Sequence, residues 1–153
     1  MLATRAGVPA DLVHLQNIDL KCFDDPWNRE MWAWIGDNFG IQLVTYFGTP
    51  VAFSCQNHDQ RSVKVAKLGV LPPFRGRGLS RTLLNGILDF TRLMRASQVE
   101  IVVPEYMCNP AMEQDCSRWL KRMGFRATPP LLANQFTYLG QPEAGIRFVL
   151  EAI

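Results

Sequence analysis

The amino-acid sequence predicts an α+β domain with a mixed, mostly antiparallel seven-stranded sheet and four helices. Short β-rich runs separated by turn residues fill the segment 41–71, which indicates consecutive antiparallel strands. A long amphipathic run at 79–96 is followed at once by the compact apolar run 99–103. That pattern is typical of a crossover helix leading into a buried parallel strand, so the predicted sheet is mixed.

The first part of the chain is predicted to form one strand and two helices. Residues 1–7 can form the strand, and Pro9 opens the first helix. Asp24 or Asp25 then caps a second helix that has Pro26 at its first position. Apolar side chains at helical spacing define the predicted core face of this second helix: Trp27, Met31, Trp34 and Ile35.

The middle of the chain is predicted to form a meander of three strands. Their expected ranges are 41–47, 51–56 and 62–71, with turn residues between them. Pro72 and Pro73 cannot continue a sheet ladder, so the third strand must end just before them.

The end of the chain is predicted to add a last helix and a hairpin. Asn109 and Pro110 have the character of a cap and a first helical residue, and Gly124 ends that helix. Two prolines at 129–130 predict a break in the chain. Strands at about 134–140 and 145–151 then close the sheet.

Composition limits the class of protein. The 153 residues, with 48% apolar content, predict a single domain over 1–153. A formal net charge of +2 predicts neither a nucleic-acid partner nor a polybasic membrane anchor. No segment has the apolar length of a membrane span, which makes a cytoplasmic location the expectation. The four cysteines lack metal-binding spacing, so no metal site is predicted and the thiols are expected to be reduced.

The most informative motif is Arg75-Gly76-Arg77-Gly78-Leu79-Ser80, which lies between a predicted strand and a predicted helix. A glycine-rich turn that opens a helix exposes backbone N–H groups at the positive end of the helix dipole. The arginines add charge for an anion, so the motif predicts a phosphate-binding loop. Its position after three strands argues against a dinucleotide-binding fold, and it lacks the Gly-Lys-Ser/Thr of a P-loop. The alternative is a turn that binds no ligand.

This loop, together with the segment Trp119–Phe125, resembles the signatures of the GCN5-related N-acetyltransferase (GNAT) family. The diphosphate motif of that family is Gln/Arg-x-x-Gly-x-Gly/Ala. Arg75, Gly78 and Ser80 occupy its three positions, and Ser80 is a small departure from it. The resemblance covers nearly the whole chain. It implies the element order β-α-α-β-β-β-α-β-α-β-β and transfer of an acetyl group from acetyl-CoA to an amine, by direct attack in a ternary complex.

The resemblance also implies which residues hold the cofactor. Main-chain groups of Leu68, Gly69 and Val70 would pair with the pantetheine arm. The N–H groups of the loop and first helical turn would bind the pyrophosphate, and this set is Gly76, Arg77, Gly78, Leu79, Ser80 and Arg81. Gly78 would have to be bare so that phosphate can approach. Asn109 matches an asparagine that contacts the cofactor near the thioester, although helix capping alone also explains it.

Two catalytic groups are implied, and the sequence departs from the family pattern at both. A carboxylate usually takes the proton of the amine, but the fourth strand has Lys64 and Lys67 where many relatives have Glu. Glu105, near the position used by relatives like the ribosomal-protein N-terminal alanine acetyltransferases, is the candidate base. Glu100 is a weaker candidate, and a solvated surface role for Glu105 is the alternative.

The second group is the acid that protonates the leaving thiolate. A Tyr commonly fills this role in the family, and its position here is Leu120. Cys116 lies one turn earlier on the same predicted face, and Tyr106 and Tyr138 are on nearby predicted strands. A small core residue is the alternative for Cys116.

The acceptor side is implied by the segment Cys22–Trp27, which resembles the Phe-x-x-Pro-Trp segment of N-terminal protein acetyltransferases. Asp24 and Asp25 would attract a cationic amine. The walls of the pocket would be formed by Trp27, Trp32 and Trp34. Trp32 lies off the predicted core face and is expected to be exposed. Helix capping by the aspartates and core packing of the tryptophans are the alternative.

Two functions therefore follow from the resemblance. The first is acetyl transfer to a primary amine, either a protein N-terminus, a lysine or a small amine. The second is a catalytically weak protein that keeps the fold and serves as an acyl-CoA-binding or structural component. A monomer or homodimer is expected in either case.

Overall fold

The computed structural model describes residues 1–108, 116–138 and 141–151. The strands are β1 Leu2–Ala6, β2 Gly40–Tyr46, β3 Thr49–His58, β4 Ser62–Val70, β5 Gln98–Pro104, β6 Arg126–Tyr138 and β7 Gln141–Glu151. The α-helices of this part of the chain are α1 Leu12–Cys22, α2 Arg29–Asn38, α3 Leu79–Leu93 and α4 Cys116–Arg122. Short 3₁₀ segments lie at Pro9–Asp11, Pro72–Phe74 and Glu105–Cys108.

The strands form one seven-stranded sheet in the order β1-β2-β3-β4-β5-β7-β6. All neighbours are antiparallel except β4 and β5, which are parallel, so the predicted mixed sheet is confirmed. The parallel pairing runs only from Ser62 opposite Gln98 to Val65 opposite Ile101. Both strands continue beyond this point without pairing with each other. A groove therefore opens between their carboxyl ends, and it is where the candidate site lies.

Helices cover both faces of the sheet. Leu43 packs with α1 and α2 residues around Trp32, whereas its neighbour Val44 packs with Leu79 and Leu83 of α3. Because successive side chains of a strand point to opposite faces, α1 and α2 lie on one face and α3 on the other. Burying an aliphatic side chain such as Leu83, which is fully buried, contributes roughly 1.5–3 kcal/mol. These two layers fix the strands that border the groove.

The predicted start of the second helix is wrong, and within the helix its predicted core face is correct only at Ile35. Asn28 is the cap, because its side-chain oxygen accepts a hydrogen bond from the Met31 N–H at 2.8 Å. Trp27 therefore lies before the helix, and the buried residues of the helix are Trp32 and Ile35, which are 1% and 2% exposed. Met31 and Trp34 face outward, with 42% and 52% exposure. The apolar spacing fitted either face, so only the position of the cap distinguished them.

The predicted break at Pro129–Pro130 is a bulge within one long strand. β6 runs through both prolines, and its register with β7 shifts between Thr128 and Leu132. β6 is an edge strand, so a proline that cannot donate a hydrogen bond is tolerated there. The closing hairpin is confirmed, with both strands longer than predicted. The predicted helix start at 109–110 lies outside the described residues.

Candidate active site

Three adjoining cavities form one continuous groove between β4 and α4. We name them the loop cavity, the middle cavity and the inner cavity, with volumes of about 450, 440 and 210 Å³. Val70, Arg75 and Arg122 line both the loop and middle cavities. Phe23 and Leu68 line both the middle and inner cavities. The groove thus runs from the glycine loop to the carboxyl ends of β4 and β5, where these two strands no longer pair with each other.

The loop cavity is built on the N-terminus of α3. Gly78 is the residue before this helix, and both it and Gly76 have a φ of +78°, a left-handed conformation that favours glycine. The first hydrogen bond of the helix runs from the Thr82 N–H to the Gly78 carbonyl, at 3.0 Å. The N–H groups of residues 79–81 precede that bond, so the helix does not use them. They lie at the positive end of the helix dipole.

Arginines supply the charge of the loop and middle cavities. Arg75, Arg81 and Arg122 line the loop cavity, and Arg118 joins Arg75 and Arg122 in the middle cavity. Neither cavity has an Asp or Glu among its described lining residues. Arg77 instead lies over the ring of a neighbouring phenylalanine, 5.2 Å from its centroid. This end of the groove is therefore suited to a polyanion such as a diphosphate.

The edge of β4 presents main-chain groups to the groove. The Leu71 N–H donates to the Val51 carbonyl at 2.9 Å, which fixes the antiparallel register with β3. In that register Gly69 exchanges its hydrogen bonds with β3, whereas the polar groups of Leu68 and Val70 point away from β3. Of the three residues predicted to pair with pantetheine, Leu68 and Val70 therefore offer their main chain to the groove, and Gly69 does not.

Arg75 fastens the glycine loop to the end of β4. Its Nε donates to the Val70 carbonyl at 3.0 Å, and the Cys22 thiol approaches the same carbonyl oxygen at 3.3 Å. Burial raises the pKa of Cys22, and the Arg75 guanidinium partly offsets that rise. Cys22 is therefore a protonated thiol on the groove wall at neutral pH.

The inner cavity has mostly apolar walls. Its described lining residues include Ile101, Val102, Val103, Pro104, Met107, Trp119, Leu120 and Phe136. Asp25 and Lys67 are the charged residues in that lining. An apolar chamber with a few polar groups is the usual form of a small-molecule or peptide-end site.

Lys67 is held by a buried ion pair that sequence reasoning missed. Its Nζ lies 2.6 Å from a carboxylate oxygen of Asp19, which is fully buried. It also donates to the Asp25 carbonyl at 3.1 Å and lies over the ring of Trp27, 4.3 Å from the centroid. Burial lowers the pKa of Lys67, and the hydrogen bond to Asp19 partly offsets this. The only sequence signal was an acidic residue four positions after Leu15 on the core face of α1.

Of the two predicted catalytic residues, Cys116 borders the groove and Glu105 does not. Glu105 is exposed and lines none of the three cavities, so the structure does not support it as the base. Cys116 lines both the middle and inner cavities and so lies where they join. Leu120 is buried on the wall of the inner cavity and offers no proton. Asn109 lies outside the described residues.

Two of the predicted acceptor residues line the inner cavity and the others do not. Asp25 and Trp27 line the inner cavity. Asp24 is exposed and lines none of the three cavities. The expectation that Trp32 is an exposed wall of the pocket is wrong, because its indole is buried and donates to Asp19 at 3.0 Å.

Within the described ranges, no group of three or more His, Cys, Asp or Glu side chains is placed to hold a metal ion. None of the helices described there combines the length and apolar content required to cross a membrane.

The fold is that of solved GNAT acetyltransferases, which confirms the predicted architecture. The ribosomal-protein-S18-alanine N-acetyltransferase from Escherichia coli matches with a TM-score of 0.83 at 18% identity, over 99% of this chain and 94% of the other. NAA60 from Arabidopsis thaliana, in complex with acetyl-CoA, matches with a TM-score of 0.82 at 18% identity, over 99% of this chain and 98% of the other. Naa50 from the same plant, bound to a bisubstrate analogue, matches with a TM-score of 0.78 at 20% identity, over 97% of each chain. Neither a protein-family model nor a curated protein sequence matches the chain.

Proposed function

We propose that this protein is an acetyl-CoA-dependent N-acetyltransferase that acts on a primary amine by direct attack in a ternary complex. The observation that carries the proposal is the continuous groove, which joins an arginine-lined helix N-terminus to an apolar chamber with one carboxylate in its described lining. The fold supports it, since solved structures with this fold include one in complex with acetyl-CoA and one with a bisubstrate analogue.

The cofactor would lie along the loop and middle cavities. The N–H groups of residues 79–81, with Arg75 and Arg122, would bind the pyrophosphate. The main-chain groups of Leu68 and the Val70 N–H would bind the pantetheine arm as an added strand would, since the Val70 carbonyl already accepts from Arg75. When bound, the cofactor supplies an acetyl group already activated as a thioester. The junction of the middle and inner cavities, beside Cys116, is then the place for the reacting carbon.

The acceptor amine would enter the inner cavity, where Asp25 is the carboxylate among the described lining residues. An ammonium group does not attack a thioester, so the site must hold or generate the neutral amine. The Asp25 carboxylate would attract the cationic amine and take its proton, directly or through water. Leu120 cannot protonate the departing thiolate, but a coenzyme A thiolate is a tolerable leaving group near neutral pH.

The acceptor would be a protein N-terminus, a lysine or a small amine. The apolar walls favour an amine carried on an apolar group over a highly charged polyamine. A cytoplasmic location and a monomeric or homodimeric state stay predictions from the sequence.

A second function is favoured by two particular residues. Lys67 and Leu120 occupy positions where a base and an acid are usual in the family, and both line the inner cavity. A protein that binds acyl-CoA without turnover would have the same loop and middle cavities.

Calorimetric titration with acetyl-CoA, followed by release of free thiol with a panel of amines and peptides, tests both functions. We expect a Kd in the micromolar range and turnover with at least one acceptor. Binding without turnover on any acceptor would favour the binding function. Absence of binding would exclude both.

A further inference from the structure

The segment between α1 and α2, residues 23–28, forms one wall of the inner cavity through Phe23, Asp25 and Trp27. We name it the acceptor loop. The segment lies outside the helices and strands, so its shape depends on contacts with the rest of the fold.

Asp19 and Lys67 together hold the acceptor loop. One carboxylate oxygen of Asp19 accepts from the Trp27 main-chain N–H at 2.8 Å, and the other lies 2.6 Å from Lys67 Nζ. Lys67 in turn donates to the Asp25 carbonyl at 3.1 Å. The two charges thus reach the loop from α1 and from β4, through residues that are 48 positions apart in the sequence.

Aromatic rings complete the enclosure of the ammonium group. Lys67 Nζ lies 4.3 Å from the ring centroid of Trp27 and 4.8 Å from that of Phe23. The Lys67 side chain is only 10% exposed and Asp19 is not exposed at all. A desolvated cation is attracted to the face of an aromatic ring, so both rings are held as well as the main chain.

We propose that Asp19 and Lys67 are positioning residues of the acceptor site: their ion pair fixes the acceptor loop, and with it Asp25, in the form that receives the amine. This inference rests on the proposed function for its substrate class. Lys67 therefore does not replace the missing glutamate as a base, because its ammonium group donates to Asp19 and to the Asp25 carbonyl of the acceptor loop.

The first test is amide hydrogen exchange, which requires no turnover. In Lys67→Met we expect at least about tenfold faster exchange in the peptide that covers 23–28, because the anchor from β4 is gone. Exchange in α3 should be unchanged once global stability is restored by the double variant described below. The matched control is Lys64→Met, since Lys64 lies on the same strand but is exposed and pairs with Asp59 at 3.4 Å. Unchanged exchange in the loop, or equal acceleration in both variants, would overturn the proposal.

The second test separates acceptor binding from cofactor binding. We expect Lys67→Met to raise the KM of the amine about tenfold while the Kd of acetyl-CoA stays within about twofold of the wild type. A variant that loosens the cofactor site to the same extent would contradict the assignment. If the wild type has no turnover, the proposed function fails, but the hydrogen-exchange result still decides whether the ion pair holds the loop.

A double variant addresses loss of stability. Lys67→Met leaves the Asp19 carboxylate buried without its partner charge, which is strongly destabilising. Asp19→Asn with Lys67→Met removes both charges, and the asparagine oxygen can still accept from the Trp27 N–H. We expect this pair to recover much of the lost stability, measured by urea unfolding, while loop exchange and amine KM stay raised. Full recovery of both loop exchange and KM would show that Lys67 does not position the loop.

Discussion

The two ends of the groove are built in different ways. At the loop cavity the proposed binding groups are main-chain N–H groups, placed by two left-handed glycines and the start of α3. At the inner cavity they are side chains from separate elements, held by the buried Asp19–Lys67 ion pair. A site made of backbone groups is specified within a few consecutive residues. A site made of side chains depends on residues that are distant in the sequence and must be compatible with one another. Such a site can change in function while the fold is kept.

Gly78→Glu should have the largest effect and should be confined to the loop end. A carboxylate there would compete for the N–H groups of residues 79–81 and repel a phosphate. We expect acetyl-CoA affinity, measured by calorimetry, to fall at least about 100-fold.

The matched control for this change is Gly48→Glu at the tip of the β2–β3 hairpin. Gly48 and Gly78 have φ values of +85° and +78°, and an added Cβ would meet no atom within 4 Å at either. Both variants therefore carry similar backbone strain, roughly 1–2 kcal/mol. If Gly48→Glu weakened binding as much as Gly78→Glu, the loss would reflect strain, and the loop would not be the phosphate site.

The inner end is tested by comparing two carboxylates. We expect Asp25→Asn to lower kcat/KM for the amine about tenfold and to weaken the dependence of the rate on pH, since a general base is lost. Glu105→Gln should leave both unchanged, because Glu105 is exposed and outside the cavities. Acetyl-CoA binding should be the same in both variants. A rate loss in Glu105→Gln alone would restore the assignment made from the family resemblance.

The fold and the loop cavity were predictable because their signals are local. The strand positions in the meander, the prolines after β4 and the glycines before α3 each reflect a constraint on a few neighbouring residues. The same is true of Gly124, whose φ of +100° ends the last helix as predicted. Pro129 and Pro130 led to the wrong prediction of a chain break. A strand tolerates them only because β6 is at the edge of the sheet, which is a property of the whole fold.

The inner cavity was less predictable because its organisation is not local. Trp32 and Trp34 are equally apolar in the sequence, and the fold buries one and exposes the other. Asp19 had no visible partner until β4 brought Lys67 against it. On α4, Trp119 packs against the core and also lines the loop cavity beside Arg122. The pattern predicted which faces are apolar but not which side chains border a groove.

The smallest expected effect concerns a second carboxylate on the α1 side of the sheet, Asp11. It accepts two hydrogen bonds of 2.7 Å from Arg5 and one of 2.8 Å from the Val8 N–H. The hydrogen bonds from Arg5, opposed by burial, lower the pKa of Asp11 from 3.8 to about 2. Because the pKa is lower in the folded state, the stabilisation is complete above about pH 4 and is lost as the pH falls towards 2.

Asp11→Asn should therefore lower the free energy of unfolding by about 1–2 kcal/mol at pH 7, since the exposed Arg5 reduces the value of the pair. The difference from the wild type should shrink as urea unfolding is repeated at lower pH and should nearly vanish close to pH 2. Asp89→Asn is the control, because the Asp89 side chain is 80% exposed beside Arg92. A difference that stayed constant with pH would mean that Asp11 acts through packing alone. The Arg5–Asp11 pair lies on the α1 side and far along the chain from the arginines of the loop cavity. Acetyl-CoA affinity should therefore not change in Asp11→Asn. That result would separate the stability of the α1 side from binding at the loop end.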